Sequence, residues 1–283
     1  MEAVSRNRAL IFANGEWSTP SRFSLCNSEF NTAKAIDFFL DPFDEWLHNV
    51  AQDGQPLWLF GHSLGGYLAG KYIMRIHERS SQMPNIEKCV LASPVGFQPL
   101  PEKGKRLPTS DLPPAMRLVD ALWSSNFTPQ ALVRMMGSSR GKASVKKALR
   151  GRIPHLSGQS TDLLAEYLYH ITVAPASGEY AMNSLLEPYA SAQGTGVFAR
   201  DHLGGGETAN AIRQNLHRSP LKSMMTIFGD QDWMRSGHEK SARAEMELIS
   251  GLGIRSKLDI VSNAGHHLYL DNEPELTRLI LEG

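Results

Sequence analysis

The sequence predicts an α/β fold with a mostly parallel sheet that is interrupted by a long helical insertion. An apolar strand pattern at Pro56–Phe60 is followed at once by a helical pattern that ends near Arg79, and a second buried strand pattern follows at Ile86–Ser93. This order is typical of parallel strands joined by right-handed crossovers. Sheet character returns later in the chain at Met224–Phe228 and at Ile254–Val261, and a closing helix runs from about Pro274 onward.

Length and composition exclude several classes of protein. The chain has 283 residues, with 29 Lys and Arg against 29 Asp and Glu, which argues against bulk capture of nucleic acid. No apolar run approaches the ~18–20 residues that span a bilayer, and the block Ala9–Ala13 is too short for a signal-peptide core. Cys26 and Cys89 are the only cysteines, which favours a reducing compartment. We therefore expect an intracellular protein, cytoplasmic or peripheral on an organelle membrane such as that of the mitochondrion or lipid droplet.

The character of the chain changes after Phe97. From Gln98 to about Pro220 it shows helical patterns and no convincing strand, and an insertion of roughly 120 residues is far longer than a usual connection. Thr128 and Pro129 begin one helix, which Gly137 ends, and Asp162–Ile171 forms another. A glycine-rich stretch at Gly194–Gly206 is interpreted as a mobile loop. The predicted division is 1–97 for the first part of the core, 98–220 for a helical cap insertion and 221–283 for the second part of the core.

A candidate nucleophile lies between the first strand pattern and its helix. Gly61–Gly65 has the pattern G-x-S-x-G in the strand–turn–helix context that this motif requires. Ser63 would sit on a tight turn, which the two flanking glycines permit, and the amide of Leu64 would stabilise an oxyanion at the helix N-terminus. The alternative is a glycine-rich turn with an incidental serine.

A serine nucleophile needs a histidine base and an acid that orients it, in the chain order Ser, Asp or Glu, His. His266 follows a small Ala-Gly pair between the last strand and the closing helix, whereas His267 would pack or face solvent. Asp232 is favoured as the acid because the spacing Gly-x-x-Asp places it beyond the turn. Asp230 is the alternative acid, or a brace for the loop.

Together these residues resemble the α/β-hydrolase fold, and more narrowly the α/β-hydrolase-domain 4/5 group, which includes the fungal cardiolipin-specific deacylase. The resemblance implies a serine hydrolase that cleaves carboxylic esters of acylated phospholipids through an acyl-enzyme, with Ser63, Asp232 and His266 as its triad and without a cofactor or metal. The segments that carry it are Asp44–Trp46, Gly61–Tyr67, Ser93–Phe97, Phe127–Gln130, Ser177–Glu179, Gly229–Met234 and Gly265–His267.

Two other functions remain open. The group is noted for a His-x-x-x-x-Asp motif associated with acyl transfer to lysophosphatidate, which His266 and Asp271 match, although Asp271 and Asn272 also lie where the closing helix needs a cap. The third hypothesis is a catalytically silent lipid-surface or lipase-binding protein. Ser63 separates the chain from the coactivator member of the group, which lacks the nucleophile.

The sequence departs from the family pattern before the nucleophile. About sixty residues precede Ser63, and the segment Gly15–Phe23 resembles the loop that the family has just before the elbow helix. The earlier strands and their His-Gly oxyanion loop are not found, so we expect an N-terminally truncated version of the fold. Loss of one oxyanion donor typically costs ~10²–10³ in rate, and we expect weak or no activity from these residues alone.

The insertion offers candidate contacts for lipid. Apolar residues there would line an acyl-chain tunnel or pack the small core of the cap itself. One segment of the insertion contains six basic residues and no acidic residue. These side chains would bind an anionic headgroup or a membrane surface. The alternative is an ordinary solvated helix face. The apolar candidates are Met116, Val119, Leu122, Trp123, Met135 and Met136, and the basic ones are Arg140, Lys142, Lys146, Lys147, Arg150 and Arg152.

Overall fold

Seven strands and eleven α-helices are assigned among the residues that the computed structural model describes. It describes residues 9–13, 32–51, 54–79, 83–99, 110, 114–125, 127–153, 156–174, 178–188 and 197–283, without the side chains of 9–13, 50, 115, 116, 119, 120, 124, 129 and 152. The strands are β1 Ala9–Ala13, β2 Leu57–His62, β3 Ile86–Ala92, β4 Leu186–Pro188, β5 Val197–Ala199, β6 Ser223–Gly229 and β7 Arg255–Val261. The helices are α1 Thr32–Val50, α2 Leu64–Glu78, α3 Pro114–Ser124, α4 Pro129–Met135, α5 Gly137–Arg152, α6 Gly158–Val173, α7 Glu179–Leu185, α8 Glu207–Gln214, α9 Arg235–Ser250, α10 Leu268–Asp271 and α11 Glu273–Glu282.

The main sheet is parallel throughout and has the strand order β1-β2-β3-β6-β7. Its inner strands β3 and β6 are almost wholly buried, as expected when helices cover both faces of a sheet. The predicted α/β class with a mostly parallel sheet is therefore confirmed. The strand β1 was not predicted, because a five-residue apolar run carries no period that separates a strand from a short buried helix.

The sequence around the second strand explains why the chain turns into a helix there. Every residue from Leu57 to Gly61 is buried, and α2 starts three residues after the last of them. Helix α2 is buried from Gly65 to His77, which includes Lys71 and Arg75. These two cations are paired with carboxylates, Lys71 with Asp201 and Arg75 with two aspartates of α1, so both of these buried charges are compensated.

Helix ends follow the predicted capping chemistry. The side chain of Thr128 accepts a hydrogen bond from the amide of Ala131 at the start of α4, and that of Asn272 accepts one from Glu275 at the start of α11. Gly137 ends α4 as predicted, with a left-handed φ of 73°, but it also begins α5. Gly137 therefore lies at the corner between α4 and α5.

The expectation of no strand between Gln98 and Pro220 is wrong. Strands β4 and β5 pair with each other in antiparallel register in a separate two-stranded sheet. Three residues are too few for an alternating pattern, so the sequence carried no signal for them. The predicted mobile loop Gly194–Gly206 overlaps β5, and its residues 194–196 lie outside the described part of the chain. A Cβ on Gly204 would lie 2.2 Å from the carbonyl oxygen of Phe97, so this glycine permits close packing.

The chain divides into two compact units. Among the described residues, unit 1 comprises those at 9–13, 32–99 and 184–283, and unit 2 those at 110–183. Unit 1 contains both sheets and a core between β-strands and the closing helices. Unit 2 contains a small apolar cluster of Leu149, Ile153 and Ala165 between α5 and α6. The predicted functional division at 1–97, 98–220 and 221–283 stays a prediction.

None of the helices in the described part of the chain is both long enough and apolar enough to cross a membrane.

Candidate active site

Three loops at one edge of the main sheet carry the predicted site residues. Ser63 follows β2, Asp232 follows β6, and His266 follows β7. The strands are parallel, so their carboxyl ends meet at the same edge of the sheet, where ligands of open α/β sheets bind. All three residues belong to unit 1.

Ser63 occupies a strained turn between β2 and α2. Its φ of 55° and ψ of −118° lie in a region that costs a side-chain-bearing residue about 1–3 kcal/mol. The turn is held by a hydrogen bond of 2.9 Å from the Ser63 amide to the carbonyl oxygen of Ala92 on β3. A Cβ on Gly61 would lie 2.3 Å from the carbonyl oxygen of Gly65, and one on Gly66 would lie 3.0 Å from Pro94. The glycines are therefore required by close backbone approach.

The side chains of Ser63, His266 and Asp232 form a continuous hydrogen-bonded chain. His266 Nε2 lies 3.0 Å from Ser63 Oγ, and His266 Nδ1 lies 3.0 Å from Asp232 Oδ1. An ionised carboxylate only accepts, so Nδ1 donates to Asp232 and Nε2 is left to accept from the serine hydroxyl. This is the tautomer that allows an imidazole to take a proton from serine.

Asp232 is buried and stays acidic. It is 5% exposed, and its Oδ1 also accepts a hydrogen bond of 2.9 Å from the amide of Met234. Burial pushes the pKa of this carboxyl upward, but the hydrogen bond from His266 and the amide of Met234 hold the pKa below its usual value. Asp232 is therefore an anion positioned to orient His266.

Asp230, the alternative acid, has a different partner. Its Oδ1 accepts a hydrogen bond of 3.0 Å from the amide of Ala264, and the backbone bonds of that turn lower its pKa. Asp230 is exposed, and its carboxylate accepts hydrogen bonds from the backbone of the loop before His266. The geometry thus matches the bracing role and favours Asp232 as the orienting acid.

The comparisons with known proteins identify the fold family. The model of the alpha/beta hydrolase family matches residues 18–278, which is most of the chain. The chain belongs to the alpha/beta hydrolase family. A serine hydrolase of the bacterium Cycloclasticus zankles has the same fold, with a TM-score of 0.50 and 14% identity over 95% of this chain and 77% of its own.

Curated relatives place this alpha/beta hydrolase within a lipid-related group. A probable 1-acylglycerol-3-phosphate O-acyltransferase of Oryza sativa subsp. japonica is 29% identical over 95% of this chain. A (lyso)-N-acylphosphatidylethanolamine lipase of Homo sapiens is 23% identical over 88% of it. The chain spans 58% of the length of the rice relative and 63% of the human one. The resemblance to the α/β-hydrolase-domain 4/5 group is confirmed.

Several rings lie close to the side chain of His266, and the sequence predicted no role for them. The ring of His62 lies 4.8 Å from that of His266 and 5.2 Å from that of Tyr269, and Trp233 lies 5.2 Å from His266 on the other side. Trp233 is 51% exposed. The G-x-S-x-G rule assigns no function to His62, because it treats that position as variable.

His62 is held neutral at physiological pH. Burial and the neighbouring His266 lower its pKa to about 4. Its Nε2 lies 2.7 Å from the carbonyl oxygen of His266, which only accepts, so Nε2 donates this bond.

The remaining predicted site residues lie on the same unit. Leu64 is the first residue of α2, so its amide is among the helix N-terminal donors that have no intrahelical partner. Asp271 ends α10, and its Oδ2 accepts a hydrogen bond of 2.8 Å from the amide of Gly265. The cap of α11 is Asn272 rather than Asp271. The segment Gly15–Phe23 lies outside the described residues.

The predicted lipid contacts of the insertion differ in exposure. The side chains of Met116, Val119 and Arg152 lie outside the described part of the chain. Met135 is 75% exposed, whereas Leu122 and Trp123 are half-buried. These exposures do not distinguish a tunnel from the packing of unit 2 itself, so the tunnel stays a prediction.

The basic residues of α5 divide into two faces. Lys142 and Lys146 form ion pairs with Glu166 and Asp162 of α6. Arg140, Lys147 and Arg150 are exposed and, within the described residues, form no ion pair. Spacings of seven and three residues place these three on one side of the helix, and we call them the α5 cationic face.

No group of three or more His, Cys, Asp or Glu side chains in the described ranges is arranged to hold a metal ion.

Proposed function

We propose that this alpha/beta hydrolase is a serine-dependent carboxylic ester hydrolase that acts on acylated phospholipids or lysophospholipids. The single observation that carries the proposal is the chain of two 3.0 Å contacts that joins Ser63 to His266 and His266 to Asp232. An unactivated serine hydroxyl is a poor nucleophile, and this geometry supplies the base and the orienting acid that it needs.

The residues support a two-step reaction. Ser63 Oγ attacks the ester carbonyl carbon while His266 Nε2 takes its proton, and the alcohol leaves with that proton. The Leu64 amide donates to the oxyanion of the tetrahedral intermediate. Water then attacks the acyl-serine, again with His266 as base, and releases the fatty acid. Asp232 stabilises the imidazolium that forms in each step.

The substrate class comes from the relatives. Their names describe an acyl transfer to 1-acylglycerol-3-phosphate and a lipase of N-acylated phosphatidylethanolamines. Both names describe acylated glycerophosphates, which supports a glycerophospholipid substrate for this chain.

A labelling experiment tests the proposed nucleophile. The 283-residue protein is treated with a fluorophosphonate probe, which reacts once with an activated serine and so reads the site even when turnover is slow. We expect covalent labelling at Ser63, and a loss of about 10³-fold or more in the Ser63→Ala variant. Labelling that persists in Ser63→Ala, or no labelling of the unaltered protein, would contradict the proposal and leave the silent lipid-surface or lipase-binding protein.

Acyl transfer is the second candidate function, and the name of the rice relative favours it. Transfer shares the acyl-enzyme and differs in the second step, where the hydroxyl of a lysophospholipid replaces water. Product analysis after incubation with labelled acyl donor and lysophosphatidate separates the two: free fatty acid indicates hydrolysis, and diacylated phosphatidate indicates transfer.

We also propose a peripheral contact with an anionic lipid surface through the α5 cationic face. Three unpaired cations near an anionic leaflet contribute about 1 kcal/mol each. The triple variant Arg140→Gln, Lys147→Gln, Arg150→Gln should therefore bind phosphatidylglycerol vesicles at least about 10-fold more weakly. The control is the double variant Lys142→Gln, Lys146→Gln. It also removes one positive charge per substitution, but from lysines that already form ion pairs with carboxylates of α6. Equal binding by the triple variant and the unaltered protein would exclude this surface.

A further inference from the structure

The loop that carries His266 is fixed by polar contacts on successive peptide groups. Asn263 turns the chain with a left-handed φ of 52°. The Ala264 amide then donates to Asp230, and its carbonyl oxygen accepts from the Gln231 amide at 3.0 Å. These contacts tie the start of the loop to the turn that carries the acid. They leave the peptide group after His266, and the N–H of the Ala264–Gly265 peptide group, to be held by other residues.

One of those peptide groups is held from the strand that carries the nucleophile. His62, the residue before Ser63, donates from Nε2 to the carbonyl oxygen of His266 over 2.7 Å. The two residues are 204 positions apart in the chain, so this contact joins the elbow directly to the base loop. The ring of His62 is fixed by an edge-to-face contact with Tyr269 at 5.2 Å.

The other peptide group is held from α10. Asp271 Oδ2 accepts a hydrogen bond of 2.8 Å from the Gly265 amide, which lies on the N-terminal side of His266. A Cβ on Gly265 would lie 3.4 Å from the same oxygen, so a side chain at this position would crowd the contact. The carboxylate is a strong acceptor for a backbone amide.

We propose that His62 and Asp271 are positioning residues that clamp the backbone on both sides of His266 and so set its distance to Ser63. The inference rests on the proposed serine hydrolase function, which it deepens. It assigns the Asp of the His-x-x-x-x-Asp motif to the loop backbone instead of to an acyl acceptor. A displacement of about 1 Å between reacting groups costs on the order of 10²-fold in rate, so the clamp has a measurable effect on catalysis.

Paired substitutions test His62. His62→Gln keeps a side-chain N–H that can donate to the His266 carbonyl, and His62→Leu removes it. We expect His62→Leu to lower the maximal rate of fluorophosphonate labelling by about 10–100-fold with little change in the probe concentration for half-maximal rate, and His62→Gln to restore most of the loss. His217→Leu, at an exposed histidine of the same unit, is the control for general effects.

The same logic applies to Asp271. Asp271→Asn keeps an oxygen that accepts from the Gly265 amide, whereas Asp271→Leu does not. We expect labelling and hydrolysis to fall about 10-fold or more in Asp271→Leu and to be largely rescued in Asp271→Asn. Melting temperatures show whether each variant is folded, and the Gln and Asn variants keep the test informative if a Leu variant is not.

The outcomes distinguish a failure of the proposed hydrolase function from a failure of the clamp. No labelling of the unaltered protein contradicts the proposed function itself. If the unaltered protein is labelled and His62→Leu is labelled at the same rate, the clamp alone is overturned. The same holds if the Gln and Asn variants lose as much labelling rate as the Leu variants. A loss of acyl transfer in Asp271→Asn with full hydrolysis also overturns it, because the carboxylate would then act on the acceptor.

Discussion

Two parts of the protein are stabilised in different ways. One is the triad corner of unit 1, which carries Ser63, Asp232 and His266, and the other is the helix group α4–α6 of unit 2. In the triad corner, directional hydrogen bonds fix the loops: the Ser63 amide donates to the Ala92 carbonyl oxygen, and the Met234 amide donates to the buried Asp232 carboxylate. In the helix group, surface ion pairs and a small apolar cluster hold α5 against α6. The first arrangement depends on directional hydrogen bonds, whereas the second depends on exposed charges and a few apolar contacts.

The glycines of the two regions show the same difference. At Gly61 and Gly66 of the elbow, an added Cβ would meet backbone or proline atoms at 2.3–3.0 Å. At Gly151 and Gly158 of the helix group, an added Cβ would meet nothing within 4 Å. Substitution is therefore a steric question at Gly61 and Gly66 and a question of helix propensity at Gly151 and Gly158.

The largest expected effect comes from the acid of the triad corner. Asp232→Asn should lower the labelling rate by about 10³–10⁴-fold, because an amide at this position no longer enforces the reactive tautomer of His266. Asp230→Asn is the matched control, since the Asp230 carboxylate accepts from the backbone amide of Ala264 and its loss should cost much less. If the two variants fall equally, or Asp230→Asn falls further, the assignment of the acid is wrong.

The next effect compares glycines directly. Gly61→Ala should destabilise the protein by about 3 kcal/mol, because a Cβ there overlaps the Gly65 carbonyl oxygen. Gly151→Ala in α5 should stabilise its helix by about 0.5–1 kcal/mol. Urea unfolding measures the first, and hydrogen exchange of α5 amides measures the second. Similar shifts at both sites would show that the elbow is more adaptable than its geometry indicates.

Acid sensitivity should arise in unit 1. Burial lowers the pKa of His238 to about 4, with its Nδ1 accepting from the Gln98 amide and its Nε2 donating to Val197. The unfolded chain binds this proton at about pH 6.5, so acidification below that value favours unfolding, and His62 acts with the same sign. The free energy of unfolding should fall by about 2 kcal/mol through His238 between about pH 7 and about pH 5.

Variants isolate this contribution. His238→Gln should reduce the pH dependence, and His217→Gln, at an exposed site, should leave it unchanged. Urea unfolding followed by tryptophan fluorescence at the two pH values gives the comparison, and an undiminished pH dependence in His238→Gln would place the acid sensitivity elsewhere.

The smallest effect concerns the surface pairs of unit 2. Lys146 and Asp162 form an ion pair in which both side chains are a third or more exposed. Lys146→Gln should therefore change stability by no more than about 0.5 kcal/mol, and less at high salt. Exchange rates of α5 and α6 amides at low and high salt measure this. A loss above about 1 kcal/mol would show that the helix group depends on its charges as strongly as the triad corner does on its backbone bonds.

The sequence predicted the parts whose signal is local and missed those that depend on tertiary pairing. Strand β2 and helix α2 were predicted within a residue or two, because apolar runs and glycines mark their ends. Strands β4 and β5 were missed because their three residues gain stability only by pairing with each other. Among the site residues, the G-x-S-x-G motif marked Ser63, and the chain order of serine, acid and histidine marked His266. The contact of His62 with a carbonyl 204 positions away had no such signal.

The strand order has a kinetic consequence for the protein. Ser63 and His266 are 203 positions apart, and β3 and β6 lie between the strands that carry them. Three separate strand pairings must therefore be in register before the two side chains meet, and a slip of one residue moves a strand by about 3.3 Å, more than a hydrogen bond tolerates. Such long-range pairings form slowly. During refolding, reactivity of Ser63 toward the probe should therefore appear only with the last phase, so the nucleophile reports when the sheet is complete.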